Sequence, residues 1–192
     1  MWHETMSSPE RMGALMKGER PDRVPVIPFI FGHTALMCGQ PLARVFDDAA
    51  QSFRCQVLCQ EMYGYDGGPL YAYASAGGWE FGGEVEFPYK KYSGAPVVTR
   101  HPVESEEEAL SLEVPQDVTK AGALPIALEV SRRQAEHGMP VTLQIGSPFT
   151  WAGSVMGEDR MMMWMLKKPD LVHRVLEKVS EFVVKVAEHY AS

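Results

Sequence analysis

Three features are scarce in this chain, and each scarcity excludes something. Cysteine is scarce: 3 in 192 residues, an odd number, which makes no disulfide framework and fits a reducing compartment. Positive charge is also in short supply, with 18 Lys and Arg against 25 Asp and Glu and a formal net charge of −7. The basic residues are scattered, so no stripe of them can neutralise phosphates or lie on anionic lipid, and nucleic acid is not an expected partner. Long hydrophobic runs are missing as well. The most apolar stretches, "PVIPFIF" and "FVVKVA", are far too short to span a bilayer, and "MWHETMSSPERMG" is too polar for a secretory signal. A cytoplasmic protein with no membrane partner is the expectation.

What is present is a globular composition, 45% hydrophobic, long enough for one large domain or part of one. Residues 7–17 read as a helix with Ser7 or Ser8 as cap and Pro9 in its first turn, stopping near Gly18. "RVPVIPFIF" (23–31) reads as a buried strand whose prolines withhold ladder N–H groups. Residues 47–62 place Ala50, Phe53, Val57 and Leu58 on one helical stripe. A strand end is expected within 64–75, and "EVEFP" with "APVVTRHPV" is expected as a hairpin outside the main sheet. "ESEEEALSLEVP" reads as an acidic turn or short helix.

In the second half, residues 117–138 read as one helix from Asp117 to Gly138, followed by a strand over "MPVTLQIG". "MMMWM" (161–165) reads mostly as core that can also line an apolar cofactor. From Pro169 a long helix repeats Val172, Val175, Val179, Phe182, Val183, Val186 and Tyr190 on one face, with charges on the other. No internal repeat or low-complexity linker is visible. The alternation of strands and helices predicts an α/β architecture with parallel strands.

The break in "VTLQIGSPFTWAG" (141–153) fits that architecture. Gly146 permits a turn or a close approach to a ligand, Ser147 can cap, and Pro148 suits a first helical position. Where a strand's carboxyl end opens into a helix start, free N–H groups favour an anion or a carbonyl oxygen. Ordinary helix-start chemistry explains the same residues, and spacing alone leaves both readings open. Cys55 and Cys59, four apart with Cys38 upstream, lack the His or acid of a familiar zinc spacing and read as core cysteines. His33, just after the first strand, is either a pocket residue or a loop cap, whereas His101, His137, His173 and His189 read as structural.

Three ordered stretches carry a resemblance: "SSPERMGALMKGERPDRVPVIPF", "PVTLQIGSPFTWAGSVMGE" and "LKKPDLVHRVLEKVSEF". Together they resemble the uroporphyrinogen decarboxylase superfamily, which holds the decarboxylases and the corrinoid-dependent (methylcobamide) methyltransferases. The resemblance implies a TIM-type (β/α)8 barrel, with residues 1–192 forming its N-terminal portion. Only three barrel strands are expected, near 25–30, 65–71 and 141–146, where a full barrel has eight in roughly 250 residues.

The decarboxylases follow their first strand with an arginine-bearing motif. Here Phe29-Ile30-Phe31-Gly32-His33-Thr34 carries no arginine, and Tyr71-Ala72-Tyr73 falls where the catalytic aspartate belongs. The departure points to the methyltransferase branch, whose members move a methyl group between a corrinoid protein and a thiol or other acceptor. Such enzymes use a zinc ion held by His-x-Cys and a later Cys to activate the thiol. This chain has no His-x-Cys, so zinc ligands are expected only in a missing C-terminal part. Phe31, His33, Tyr71, Tyr73, Gln144, Ser147 and Thr150 are the expected substrate-binding residues, with the catalytic residues unassigned. The expected partners are a corrinoid protein and a small-molecule methyl donor or acceptor. The alternatives are a true uroporphyrinogen decarboxylase and a non-catalytic half-barrel that needs a partner chain. An open half-barrel is expected to be poorly stable or a homo-oligomer.

Overall fold

The computed structural model describes residues 4–73, 75–89 and 94–191. Local sequence chemistry explains most helix boundaries. Helix α1 (Ser8–Met16) starts with a capping box: the Ser7 side chain accepts from the Glu10 N–H, and the Glu10 carboxylate accepts from the Ser7 N–H. Helices α2 (Phe31–Met37) and α3 (Arg44–Asp47) are short, and α4 (Ala49–Tyr63) is capped by Asp48 and closed by Gly64 in the left-handed region. Strands β1 (Glu84–Glu86) and β2 (Val97–Arg100) form the expected antiparallel hairpin. Helix α5 (Glu106–Ser111) has a second capping box, Ser105 with Glu108. Then come α6 (Leu124–Glu136), α7 (Pro148–Met156), α8 (Glu158–Lys167) and α9 (Pro169–Ala191).

Helix α9 buries Val172, Val175, Val179, Phe182 and Val186, the face that its period predicts. With Trp151, Val155, Met156, Met161 and Trp164 they form the largest core cluster, joining α7, α8 and α9. Each such side chain contributes roughly 1.5–3 kcal/mol when fully buried, as an upper estimate. A second cluster joins Ala35, Leu42, Val45, Phe46 and Cys55, and a third joins Phe53, Tyr71, Ala123 and Val130.

Four expectations need correction. The helix over 47–62 is α4, but its buried stripe is not the expected one. The buried face of α4 is Ala49, Ser52, Phe53, Cys55, Gln56 and Cys59, while Leu58 is exposed. The polar Ser52 and Gln56 are buried because Gln56 bonds both Ser52 and the backbone of the next segment. The helix over 117–138 is divided. Asp117 caps only a 3-10 turn, Val118–Lys120, and Gly122 reverses the chain before α6 begins. "MMMWM" is amphipathic rather than core: Met161 and Trp164 are buried, but Met162 is 67% and Met163 47% exposed.

The fourth correction concerns the barrel strands. The three segments expected to be extended, 25–30, 65–71 and 141–146, carry no assigned strand, the second bends at Asp66 and Gly67, and no ladder of backbone bonds joins them among the described residues. One backbone bond links the first two, from the Asp66 N–H to the Val26 carbonyl at 2.7 Å. Pro25 and Pro28 have no N–H to give. Buried glutamines take the place of strand neighbours. Gln56 donates to the Leu70 carbonyl at 2.9 Å and accepts from the Leu70 N–H at 3.0 Å. Gln134 donates to the Pro69 carbonyl and accepts from the Thr142 N–H, tying the second segment to the third.

At the start of the second segment lies a buried ionic network. Arg11, 1% exposed, donates from Nε to Asp22 at 2.6 Å and from Nη1 to Asp66 at 2.5 Å. The other Asp66 oxygen accepts from Arg23 and from the Val26 N–H at 2.9 Å. The first of the resembling stretches, which holds Arg11, Asp22 and Arg23, thus supplies a clamp on the first two extended segments. Among the described residues no helix is long and apolar enough to cross a membrane.

Candidate functional site

The far ends of the second and third extended segments meet the starts of α6 and α7 around a cleft of about 170 Å³. Tyr71, Tyr73, Gln144 and Thr150 line it, together with Glu80, Gly146, Trp151 and apolar side chains such as Leu143, Ile145 and Val186. Four of the seven expected residues therefore converge. The other three do not line this cleft. Phe31 opens α2 and packs against Phe29 and Phe46. His33 is exposed on the same helix and meets the Tyr63 hydroxyl at 2.8 Å. Ser147 is spent as the cap of α7, where its hydroxyl accepts from the Thr150 N–H at 3.2 Å. They were expected there because each follows an extended segment, but the chain enters a helix immediately and turns their side chains away.

The break at Gly146 has a steric cause. A Cβ there would come within 2.2 Å of the Trp151 indole nitrogen, so only glycine lets that ring lie across the turn and wall the cleft. Ser147 and Pro148 are the helix start that brings Trp151 back.

Sequence reasoning missed Glu80. It sits in "GGWEFGG", a lone acid among glycines and aromatics, and it is 3% exposed. One oxygen accepts from the Tyr73 hydroxyl at 2.6 Å and the Ala123 N–H at 3.2 Å, and the other accepts from the Gly77 N–H at 2.7 Å. Glu80 thereby pins the loop before β1 to the start of α6. Gly122 is required by this arrangement, because a Cβ there would lie 2.7 Å from the Glu80 backbone nitrogen. That close approach is what divides the predicted helix. A buried acid amid glycines was the available signal.

Burial pushes the Glu80 carboxyl above the ordinary carboxylate range, outweighing the donors that reach it, its own backbone N–H among them. Burial, and then the nearby Glu80, raises the Tyr71 and Tyr73 phenols, so both remain hydrogen-bond donors at neutral pH. The Tyr71 hydroxyl donates to the Phe46 carbonyl at 2.6 Å. Because the Glu80 pKa is raised on folding, its contribution to stability is full below the ordinary value of 4.5 and is lost as pH rises through the folded value. Glu80→Gln has no such dependence, but its amide turns a donor toward a backbone N–H, at a cost of about 1–3 kcal/mol. The variant is expected to melt below the wild type by a larger margin at pH 5 than at pH 8. Thermal unfolding at both values checks this, and a margin that widens with pH would contradict it.

The cysteines do not fit a metal. Burial pushes the Cys55 thiol up to about 12 and raises Cys59 as well, the reverse of what a thiolate ligand needs. Cys38 donates to the Cys55 carbonyl at 3.9 Å. No group of three or more His, Cys, Asp or Glu side chains that could hold a metal converges among the described residues.

A mostly helical α/β chain with a cleft at the ends of its extended segments is the frame in which the comparisons with known proteins stand. The family model for uroporphyrinogen decarboxylase (URO-D) matches residues 7–192, and the chain belongs to that family. A methylated-thiol–coenzyme M methyltransferase of Methanosarcina mazei is 28% identical over 79 residues, covering 36% of this chain and 22% of its own length. A solved methyltransferase from Methanosarcina mazei matches in fold with a TM-score of 0.75 and 23% identity, over 92% of this chain and 53% of that one. The chain therefore spans about half the length of the solved relative and less than a quarter of the curated one. Both of these relatives are methyltransferases.

Proposed function

We propose that this chain is one half of a TIM-type barrel methyltransferase that moves a methyl group between a corrinoid protein and a thiol or other acceptor, with the cleft holding the small-molecule partner. The observation that carries this reading is the cleft itself. It gathers Tyr71, Tyr73, Gln144 and Thr150 at the ends of the segments expected as barrel strands, where such folds put their sites. In this reading Tyr73, steadied by Glu80, and Gln144, open to solvent, orient the small molecule, while Trp151 and the apolar wall exclude water from it. The zinc ligands that the resemblance implies have no match among the described residues, so no step of this reading runs through zinc, and activation of a thiol falls to the rest of the barrel. The corrinoid belongs to a separate partner protein, and the setting is cytoplasmic.

Decarboxylation of uroporphyrinogen is the competing reading within the family. Its polycarboxylate substrate needs cationic donors, and no Arg, Lys or His is among the described residues that line the cleft. The test supplies the protein with its complementary half and offers the pair methylcobalamin with a thiol and, in parallel, uroporphyrinogen. Methylated thiol with no coproporphyrinogen above the uncatalysed background is expected. Coproporphyrinogen above background would overturn the proposal.

A further inference from the structure

We propose that the cleft selects a small methylated ammonium cation. This rests on reading the cleft as the small-molecule site and names the class of molecule it takes. The first argument is charge. Apart from the two phenols, Glu80 is the one ionisable side chain among the described lining residues. An anion entering would give up its hydration beside a carboxyl group and meet no cationic partner. A cation gains from the same carboxyl, which burial holds toward its neutral form and a bound cation draws back to the ionised one.

The second argument is the nature of the walls. Tyr71 and Tyr73 stand with ring centroids 6.1 Å apart and planes at 61°, two sides of a corner, and Trp151 lines the same cleft. Aromatic side chains around a desolvated cation are the usual means of recognising methylated ammonium groups. The remaining surface, Leu143, Ile145 and Val186 among it, is apolar and suits methyl groups rather than N–H donors.

The third argument is a count of acceptors. An ionised carboxylate offers about four acceptor positions, and four donors reach this one: the Tyr73 hydroxyl and the backbone N–H groups of Ala123, Gly77 and Glu80 itself. A primary ammonium, with three N–H groups, would be left with unmet donors, whereas a quaternary methylated one needs no acceptor. Size agrees: an apolar cavity of roughly 150 Å³ takes a benzene, and this cleft is about 170 Å³.

Three probes of one shape and different charge decide the matter: choline, 3,3-dimethylbutan-1-ol and 3,3-dimethylbutanoate, each titrated into the protein by calorimetry and tryptophan fluorescence. Choline is expected to bind at least tenfold more tightly than the alcohol, with the carboxylate weakest. Glu80→Gln is expected to reduce the advantage of choline while the alcohol still binds. Should that variant fail to fold, the ordering of the three probes on the wild type decides alone. Equal binding of choline and the alcohol, or tightest binding of the carboxylate, would overturn the cationic class and leave the cleft as a ligand site. Absence of binding by all three would overturn this inference and take from the cleft its role in the proposed function, a result distinct from failure of the methyl-transfer assay.

Discussion

Asp66→Ala is expected to destabilise the chain by about 3–5 kcal/mol, the cost of leaving a buried charge without its partner. Asp66 is 1% exposed and accepts from Arg11, Arg23 and the Val26 N–H. Its removal leaves the Arg11 guanidinium, also buried, with Asp22 and the exposed Glu4 as its remaining counter-charges, and cuts the side-chain tie between the first two extended segments. Those segments share one backbone bond among the described residues, so little else compensates. The melting temperature is expected to fall on the order of 10 °C. A sign in pH accompanies this. The backbone N–H of Val26 and the two guanidiniums hold Asp66 below the ordinary carboxylate range, and Arg11 does the same for Asp22. Their stabilisation is present above the ordinary value of 3.8 and is lost as pH falls through the lower folded values. Urea unfolding at pH 7 and pH 3 measures both effects. A loss under 1 kcal/mol at pH 7 would show that the clamp is dispensable.

The legible parts of the fold were those written in neighbouring residues. The caps at Ser7 and Ser147, the period of α9 and the hairpin of β1 and β2 each depend on side chains within a few positions, and each lies where the sequence puts it. What was not legible depends on distant partners. Nothing local says that Arg11 meets Asp66, or that Gln134 joins Pro69 to Thr142. An apolar stripe passes over the polar Gln56 and Ser52 for the same reason and takes in Leu58 instead. In the site, Tyr71, Tyr73, Gln144 and Thr150 were found because strand ends point to clefts, whereas Glu80 was missed because it comes from a turn.

The second large effect is association. Val24 is 80%, Phe29 61% and Val141 50% exposed, all on or beside the first and third extended segments, which join no strand ladder among the described residues. Apolar side chains next to unpaired backbone groups form an edge that invites pairing with another chain. In the solved relative, 53% of the chain corresponds to this one, and the proposed function gives the rest the task of completing the barrel. Without that complement the 192-residue chain is expected to self-associate or to unfold over a broad range, because isolated edges and exposed apolar surface favour aggregation at micromolar concentration. Sedimentation velocity of this chain at micromolar concentration, with a thermal melt of the same sample, tests the half-barrel claim most directly. The account predicts oligomers or a broad, weak transition, relieved when the complementary half is supplied. A compact monomer with a sharp cooperative melt would contradict it, since the chain would then close its own core.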